Sequence, residues 1–172
     1  MIQAAQDIAK TTLAACASFQ ELVGVDSAVD AAAFIYHDAW PPPISGRAEH
    51  TRAELAALRP SAIIYTGESQ GFTVTRDAAG NDSCWNTSGA IHVMLFRNVP
   101  AVDKDNPSKV DTDFRTTVGD ILEDMLGLSE TAGYLAANQF TISGPHRTPV
   151  NELKDVGDAQ WAEIVVAWGP GE

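Results

Sequence analysis

The sequence predicts an α+β domain with an antiparallel sheet of about four to five strands and two main helices packed on one face. Three observations lead to this prediction: two amphipathic helical patterns, strand-like runs grouped in the middle and at the end of the chain, and a Pro-rich excursion between them. Strands in runs flanked by helices are typical of antiparallel α+β folds rather than doubly wound parallel ones. The 172 residues suffice for a single domain, 1–172, with its own core.

The first helical pattern covers residues 2–22, where apolar positions recur at helical spacing and polar residues separate them. Gly24 follows at a suitable position to end this helix. Asp26 or Ser27 can then cap a short second helix through residues 28–33.

The run Phe34–His37 predicts a brief strand, which leads into the Pro-rich excursion. Prolines at positions 41–43 prevent a helix and deny a sheet ladder its donors, so this segment is expected to be extended and at the surface. Thr51 and Glu54 have the spacing of a capping box, and the short helix that they begin must end before Pro60.

Strands dominate the middle of the chain, at residues 61–67, at 71–76 and within 83–97. The dipeptide Gly80-Asn81 suits a turn with positive backbone angles between the second and third of these strands. The three are expected to form an antiparallel meander.

The second helical pattern is the stronger one, because its apolar residues form a continuous stripe at helical spacing. The stripe consists of Phe114, Val118, Ile121, Leu122, Met125 and Leu126. Asp111 or Thr112 is expected to cap the start of this helix, and Gly127 is expected to end it.

The C-terminal part predicts a short helix at 130–137 and two strands, at 139–143 and 160–169. A loop containing Pro145 and Pro149 is expected to separate the strands, because proline is poorly tolerated inside a sheet.

The net charge of −12 argues against strong nucleic-acid binding, because phosphate backbones are held by clustered Lys and Arg and the chain has no such cluster. The N-terminus lacks the features of a signal peptide, and no apolar window is long enough for a transmembrane helix. Cys16 and Cys84 are far apart in sequence, and a reduced cytosolic chain is the simplest expectation.

His92 lies in the middle of the apolar run 89–97 and is the most conspicuous candidate for chemistry. A catalytic histidine needs a nucleophile, a carboxylate or another metal ligand, and the spacing forces no partner upon it, Cys84 included. The histidines His37, His50, His92 and His146 form no metal-binding spacing. His92 is therefore interpreted as a satisfied or interfacial residue.

The sequence does not match the other motifs of binding or catalytic sites that were considered. The acidic segment 101–113 departs from a calcium loop because Pro107 stands where a ligand is needed and no Glu closes the loop. Phosphate-binding glycine motifs and a nucleophile elbow are absent, and Cys84-Trp85 lacks the glycines of a cysteine-protease signature. The sequence predicts no enzyme, and no catalytic, cofactor-binding or metal-binding residue.

Two strands, 61–67 and 89–97, are apolar on both faces or nearly so, which is unusual in an antiparallel sheet with one face in water. The helices can cover one face, so the Pro-rich excursion or another subunit must hide the other. We favour a subunit. Trp40, beside the prolines, is expected either to contact another chain or to be tucked against its own domain.

The layout resembles the tail terminator and tail-completion proteins of tailed bacteriophages, which are small α+β proteins with an N-terminal helix, a meander, a long helix and a closing strand pair. The segments that carry this resemblance are TLAACASFQELVGV, FIYHDAWPPP, RPSAIIYTGES, TDFRTTVGDILEDML and AEIVVAWG. It covers nearly the whole chain in the order of elements.

The resemblance implies a homo-oligomeric ring, typically a hexamer, in the virion tail. Such a ring is assembled in the host cytoplasm, ends the tail tube and joins it to the head connector. Its partners would be tail tube and neck proteins, with DNA passing through without specific binding, and a strongly acidic chain suits such a bore.

Three alternatives remain open from the sequence. The protein could be another neck, stopper or minor tail component. It could be a small enzyme with an unrecognised site on His92, Cys84 or His146. It could also be a cytosolic adaptor that binds peptides by addition to a sheet edge.

Overall fold

The computed structural model describes residues 2–43, 46–66, 71–76, 82–99, 107–132, 139–147 and 159–168. A sheet and three main helical segments make up this part of the chain, and the α+β class predicted from the sequence is confirmed. The predicted turn at Gly80-Asn81 and the loop residue Pro149 lie outside the described residues.

Six strands form the sheet, in the order β1-β2-β4-β6-β5, with β3 paired to β4 outside this path. Their bounds are β1 Ile35–His37, β2 Ser61–Thr66, β3 Gly71–Arg76, β4 Asp82–Asn98, β5 Gln139–Arg147 and β6 Ala159–Trp168. All pairs are antiparallel except β1 with β2, which is parallel. The sheet is therefore mixed.

Two expectations about the sheet were therefore wrong, namely that all its strands are antiparallel and that the strands at 61–67, 71–76 and 83–97 pair in a meander. The long connection between β1 and β2 carries the chain back across the sheet, as parallel neighbours require, so the two strands run in the same direction. In addition, β2 and β3 both pair with β4 instead of with each other, because β4 is 17 residues long and accommodates them one after the other.

The helices are α1 Ile2–Ala15, α2 Ala17–Val23, α3 Ala28–Ala31, α4 Arg52–Ala57 and α5 Pro107–Ala132, with a 3₁₀ turn at Ala32–Phe34 after α3. The prediction of one continuous helix over residues 2–22 was wrong, because Cys16 adopts an extended conformation between α1 and α2. Asp124 of α5 compensates for the break, since its Oδ2 accepts a hydrogen bond from the backbone N–H of Ser18 at 2.9 Å.

The other helix signals near the N-terminus are confirmed. Gly24 ends α2 in the left-handed conformation at φ 74°, which glycine adopts without steric cost. The Ser27 side chain caps α3 by accepting from the backbone N–H of Asp30. Thr51 and Glu54 form the complete capping box of α4, which ends before Pro60 as expected.

Helix α5 is longer at both ends than predicted. It begins at Pro107 rather than at Asp111 or Thr112, because proline needs no N–H donor in the first turn of a helix. It also continues through Gly127, since a glycine inside a helix costs only about 1 kcal/mol relative to alanine. Residues 130–132 of the predicted short helix are its last turn, and 133–138 lie outside the described residues.

Strand β5 is also longer than predicted, since it extends through Pro145 to Arg147. Its register with β6 shifts between Ser143 and His146, so the proline lies at an irregularity where a missing donor is tolerated. Asp111 and Asp113 of the acidic segment lie on α5, so this part of the segment is helical.

The core lies between one face of the sheet and helices α1, α2 and α5. Alternate residues of the central strands point to these helices, namely Ala62, Ile64, Ile91, Val93, Leu95, Ala162, Ile164 and Val166. The helices contribute Leu13, Cys16, Phe19, Phe114, Val118, Ile121 and Met125. Each fully buried large aliphatic or aromatic side chain contributes about 1.5–3 kcal/mol, and this packing is the main source of stability.

Cys16 belongs to this core as a free, buried thiol. Its Sγ–H donates to the carbonyl oxygen of Thr12 at 3.2 Å. Burial, and secondly the nearby carboxylate of Asp124, raise the pKa of the Cys16 thiol to about 12. The residue is a packing element at the break between two helices and is protonated at physiological pH.

The contact between Asp124 and α2 leads to a stability prediction. We expect Asp124→Ala to lower the free energy of unfolding by about 1 kcal/mol, because loss of an N-terminal cap costs this amount. Glu123→Ala is the matched control, since Glu123 is the exposed neighbour on the same helix. Urea denaturation measures both variants, and equal stabilities would contradict a capping role for Asp124.

Candidate self-association surface

The face of the sheet opposite the helices, called the outer face below, is also largely apolar. Its described residues are Tyr36, Ser61, Ile63, Tyr65, Ala90, His92, Met94, Phe96, Trp161, Glu163 and Val165. The strand register arranges them in rows across β2, β4 and β6, so that Tyr65 lies beside His92 and His92 beside Val165. The second apolar face of the strands, noted in the sequence, is thus the outer face.

One end of the outer face is covered by the Pro-rich excursion. The ring of Trp40 packs on Phe96 with 4.8 Å between centroids, and its Nε1–H donates to Oγ of Ser61 at 3.2 Å. Ser61 and Phe96 are consequently buried. Trp40 is therefore tucked against its own domain, whereas Pro41 and Pro42 are exposed, as expected for an extended surface segment.

Helix α4 lies beside this covered end. Its carbonyl at Ala56 accepts a hydrogen bond from Nδ2 of Asn98 at the end of β4, at 2.9 Å. Leu55 of the same helix is buried, and its carbonyl accepts from Nε of Arg59. The excursion thus hides part of the second apolar face, the role that the sequence analysis assigned mainly to another subunit.

The other end of the outer face, called the open end below, has none of the described helices over it. Tyr65, Ala90, Met94 and Val165 are each partly exposed there, and helices α1, α2 and α5 lie on the opposite side of the sheet. This open end of the outer face combines apolar side chains with one polar cluster and is the surface best suited to bind another molecule.

The polar cluster consists of Tyr65, His92 and Glu163, and is called the outer-face cluster below. Oε1 of Glu163 accepts the Tyr65 hydroxyl at 2.5 Å and lies 2.8 Å from Nδ1 of His92. The rings of Tyr65 and His92 are stacked, with 4.7 Å between centroids and 14° between planes. Because an ionised carboxylate only accepts hydrogen bonds, Nδ1 of His92 carries a proton in this arrangement.

Burial, the hydrogen bond to Glu163 and the negative charge of that carboxylate raise the pKa of Tyr65 to about 12. The phenol is therefore a hydrogen-bond donor at any physiological pH. The side chains of His92 and Glu163 are only 23% and 20% exposed. A carboxylate in such a place is tolerated because two donors satisfy it.

The cluster orients His92 in the manner of a general base, with a carboxylate on one ring nitrogen. Cys84 and His146, the other candidates for a catalytic site, lie too far from His92 to contact it. Cys84 is eight residues away along β4, roughly 26 Å at the rise of a strand. His146 pairs with Trp161, two strands from His92 and four residues further along β6, roughly 16 Å away.

No metal site is found within the described ranges, because no group of three His, Cys, Asp or Glu side chains there could hold an ion.

The sequence analysis identified His92 but missed Glu163 and Tyr65. A signal was available, since Glu163 is the single charge within the apolar strand 160–169, and such a residue needs a partner on a neighbouring strand.

A second unusual feature is a two-stranded ribbon formed by β3 and residues 82–88 of β4, called the β-ribbon below. The pairing of β4 with β6 ends at Gly89, and the pairing with β2 ends at Ile91. The ribbon therefore extends beyond the end of the main sheet, and its strands pair only with each other among the described elements.

Searches for related proteins found neither a matching family model nor a matching curated protein. None of the helices in the described ranges has the length and apolar character needed to cross a membrane. Inference about function therefore depends on the geometry of the outer face.

The outer-face cluster predicts that Tyr65 loses its proton at a higher pH than an ordinary tyrosine. Because folding raises the pKa of Tyr65 from 10.0 to about 12, its neutral form stabilises the fold below pH 10, and this contribution is lost as the pH rises from 10 to 12. Phenolate absorbance after a rapid pH jump should show a late step that is missing in Tyr65→Phe and shifted to lower pH in Glu163→Gln. All measurements use a Tyr36→Phe background, because burial also raises the pKa of Tyr36. A late step that survives in Tyr65→Phe in this background would contradict the assignment.

Proposed function

We propose that this protein is a structural subunit of a bacteriophage tail, which forms a homo-oligomeric ring, ends the tail tube and joins it to the head connector. The observation that carries the proposal is the open end of the outer face, an apolar sheet surface that the helices of the same chain leave uncovered. Association with further copies would bury this surface, and a contact between this surface and a different patch of the next copy closes into a ring when the rotation allows it.

Two further properties support the proposal. The order of elements, with N-terminal helices, a group of central strands, the long helix α5 and the closing pair β5–β6, is the order on which the resemblance to tail terminator proteins was based. The net charge of −12 would line a ring with negative potential, through which DNA can pass without adhering. Tail tube and head connector proteins are the partners that this role requires.

The proposal also accounts for the outer-face cluster without catalysis. At the centre of an interface, Glu163 would be desolvated, and the donors Tyr65 and His92 would keep it satisfied. Fixed polar groups within an apolar contact also restrict which surfaces can dock and in what orientation.

The first test is the native mass. A hexamer of 18.3-kDa chains has a mass of about 110 kDa, and we expect size-exclusion chromatography with light scattering to give this value and negative-stain images to show rings. A monomer at micromolar concentration would overturn the proposal. Antibody labelling of virions should then place the protein at the head-proximal end of the tail, and labelling elsewhere would favour another neck or tail component.

A charge on the open end of the outer face should prevent assembly. We expect Val165→Glu to weaken self-association by at least about tenfold, because each copy would bury an unpaired carboxylate. Val29→Glu adds the same charge on α3, where the native side chain is 83% exposed, and should leave assembly unchanged. Circular dichroism verifies that both variants are folded, and equal assembly of the two would exclude the outer face from the interface.

A further inference from the structure

The outer-face cluster carries one negative charge when the imidazole of His92 is neutral. Glu163 supplies this charge, because a carboxylate is ionised at neutral pH in ordinary surroundings, whereas the Tyr65 phenol keeps its proton. A single proton taken up by the cluster, on the imidazole or on the carboxylate, brings its net charge to zero. The charge of the cluster therefore depends on one proton.

The surroundings of the cluster offer no compensating charge within the part of the chain that the structure describes. Helices α1, α2 and α5 lie on the other side of the sheet, and Trp40 and the prolines lie over its other end. None of the residue types at the nearest register positions on this face is charged at neutral pH. From β1 to β5, these positions are Tyr36, Ile63, Ala90, Met94, Val165, Ser143 and Thr141.

Water still reaches the cluster in the isolated subunit, since the side chains of His92 and Glu163 are 23% and 20% exposed. This contact with solvent helps to stabilise the uncompensated negative charge. Association through the open end of the outer face would remove the water. An isolated charge is costly in a dry contact, and a cluster of zero net charge costs less.

We propose that assembly through the outer face is coupled to the uptake of a proton by the outer-face cluster, so that copies associate more tightly as the pH falls from 8 to 6. The inference rests on the proposed ring and specifies what regulates its assembly. Histidine ordinarily changes its charge in this range, so the imidazole of His92 is the expected site of the proton. Its Nδ1 already lies 2.8 Å from Oε1 of Glu163, and protonation turns this hydrogen bond into an ion pair.

The sign and size of the effect follow from linkage. Because the assembled state binds the proton more tightly than the isolated subunit, the added affinity is present at low pH and is lost as the pH rises. One proton taken up per cluster changes the association constant by at most about tenfold per pH unit. We expect a change of at least about tenfold between pH 8 and pH 6, half of this limit on a logarithmic scale.

Two variants separate this coupling from the general loss of negative charge at low pH. The concentration at which half of the chains are assembled is measured by light scattering at pH 6, 7 and 8 and constant ionic strength. His92→Asn keeps an amide donor near the position of Nδ1 but does not titrate, so it gives the background. Relative to this background, the native chain should gain at least about tenfold in affinity from pH 8 to pH 6.

Glu163→Gln should reverse the sign. Its cluster is neutral when His92 is neutral, so burial opposes protonation of the imidazole, and assembly should weaken relative to His92→Asn as the pH falls. A merely structural role of Glu163 would not produce this reversal. Circular dichroism verifies that both variants are folded.

A measurement on the native chain alone complements the variants. The heat of dilution of the assembly at pH 7 is recorded in phosphate and in Tris, two buffers that differ in their enthalpy of ionisation. We expect the difference to show net proton uptake on assembly, and no exchange or net release would overturn the proposal.

The outcomes distinguish the coupling from the ring itself. If the native chain is a monomer at all three pH values, both proposals are wrong. If it assembles with the same pH dependence as His92→Asn, or if Glu163→Gln responds to pH with the native sign, the ring stands and the proton coupling is wrong.

Discussion

The structure depends on the packing of α1, α2 and α5 against one face of the sheet. This contact contains nearly all the large, fully buried side chains of the described chain, from Phe19 and Leu13 to Phe114 and Ile121. Among the described elements, these three helices cover this face of the sheet and not the opposite one. The break at Cys16 belongs to the same contact, since the carboxylate of Asp124 on α5 supplies the cap that α2 lacks locally.

The opposite face divides into two parts with different chemistry. At one end, the Pro-rich excursion returns to the sheet, and Trp40 supplies both an aromatic contact and a hydrogen bond. At the other end, a single carboxylate is satisfied by a phenol and an imidazole within a partly exposed apolar surface. The two hydrogen bonds reduce the cost of desolvating this carboxylate.

Local signals predicted the helix ends near the N-terminus correctly but not the two ends of α5, and contacts between residues distant in sequence were not predicted. The caps at Ser27 and Thr51 and the stop at Gly24 each involve residues within a few positions of one another, so the sequence contains the whole interaction. After the break at Cys16, helix α2 is capped by Asp124, which is 106 residues from its partner Ser18 in the sequence. No local pattern near Cys16 predicts this contact. Similarly, His92 was recognised as unusual, but its partners Tyr65 and Glu163 are brought to it by the order of strands, which no local pattern specifies.

The length of β4 has a mechanical consequence. One uninterrupted strand runs from the tip of the β-ribbon through the centre of the sheet, between β2 and β6. A pull on the ribbon along this strand would load the ladders on both sides in shear, so that many hydrogen bonds resist together instead of opening one at a time. Tension applied at the ribbon would therefore reach the middle of the domain with little stretching of the chain.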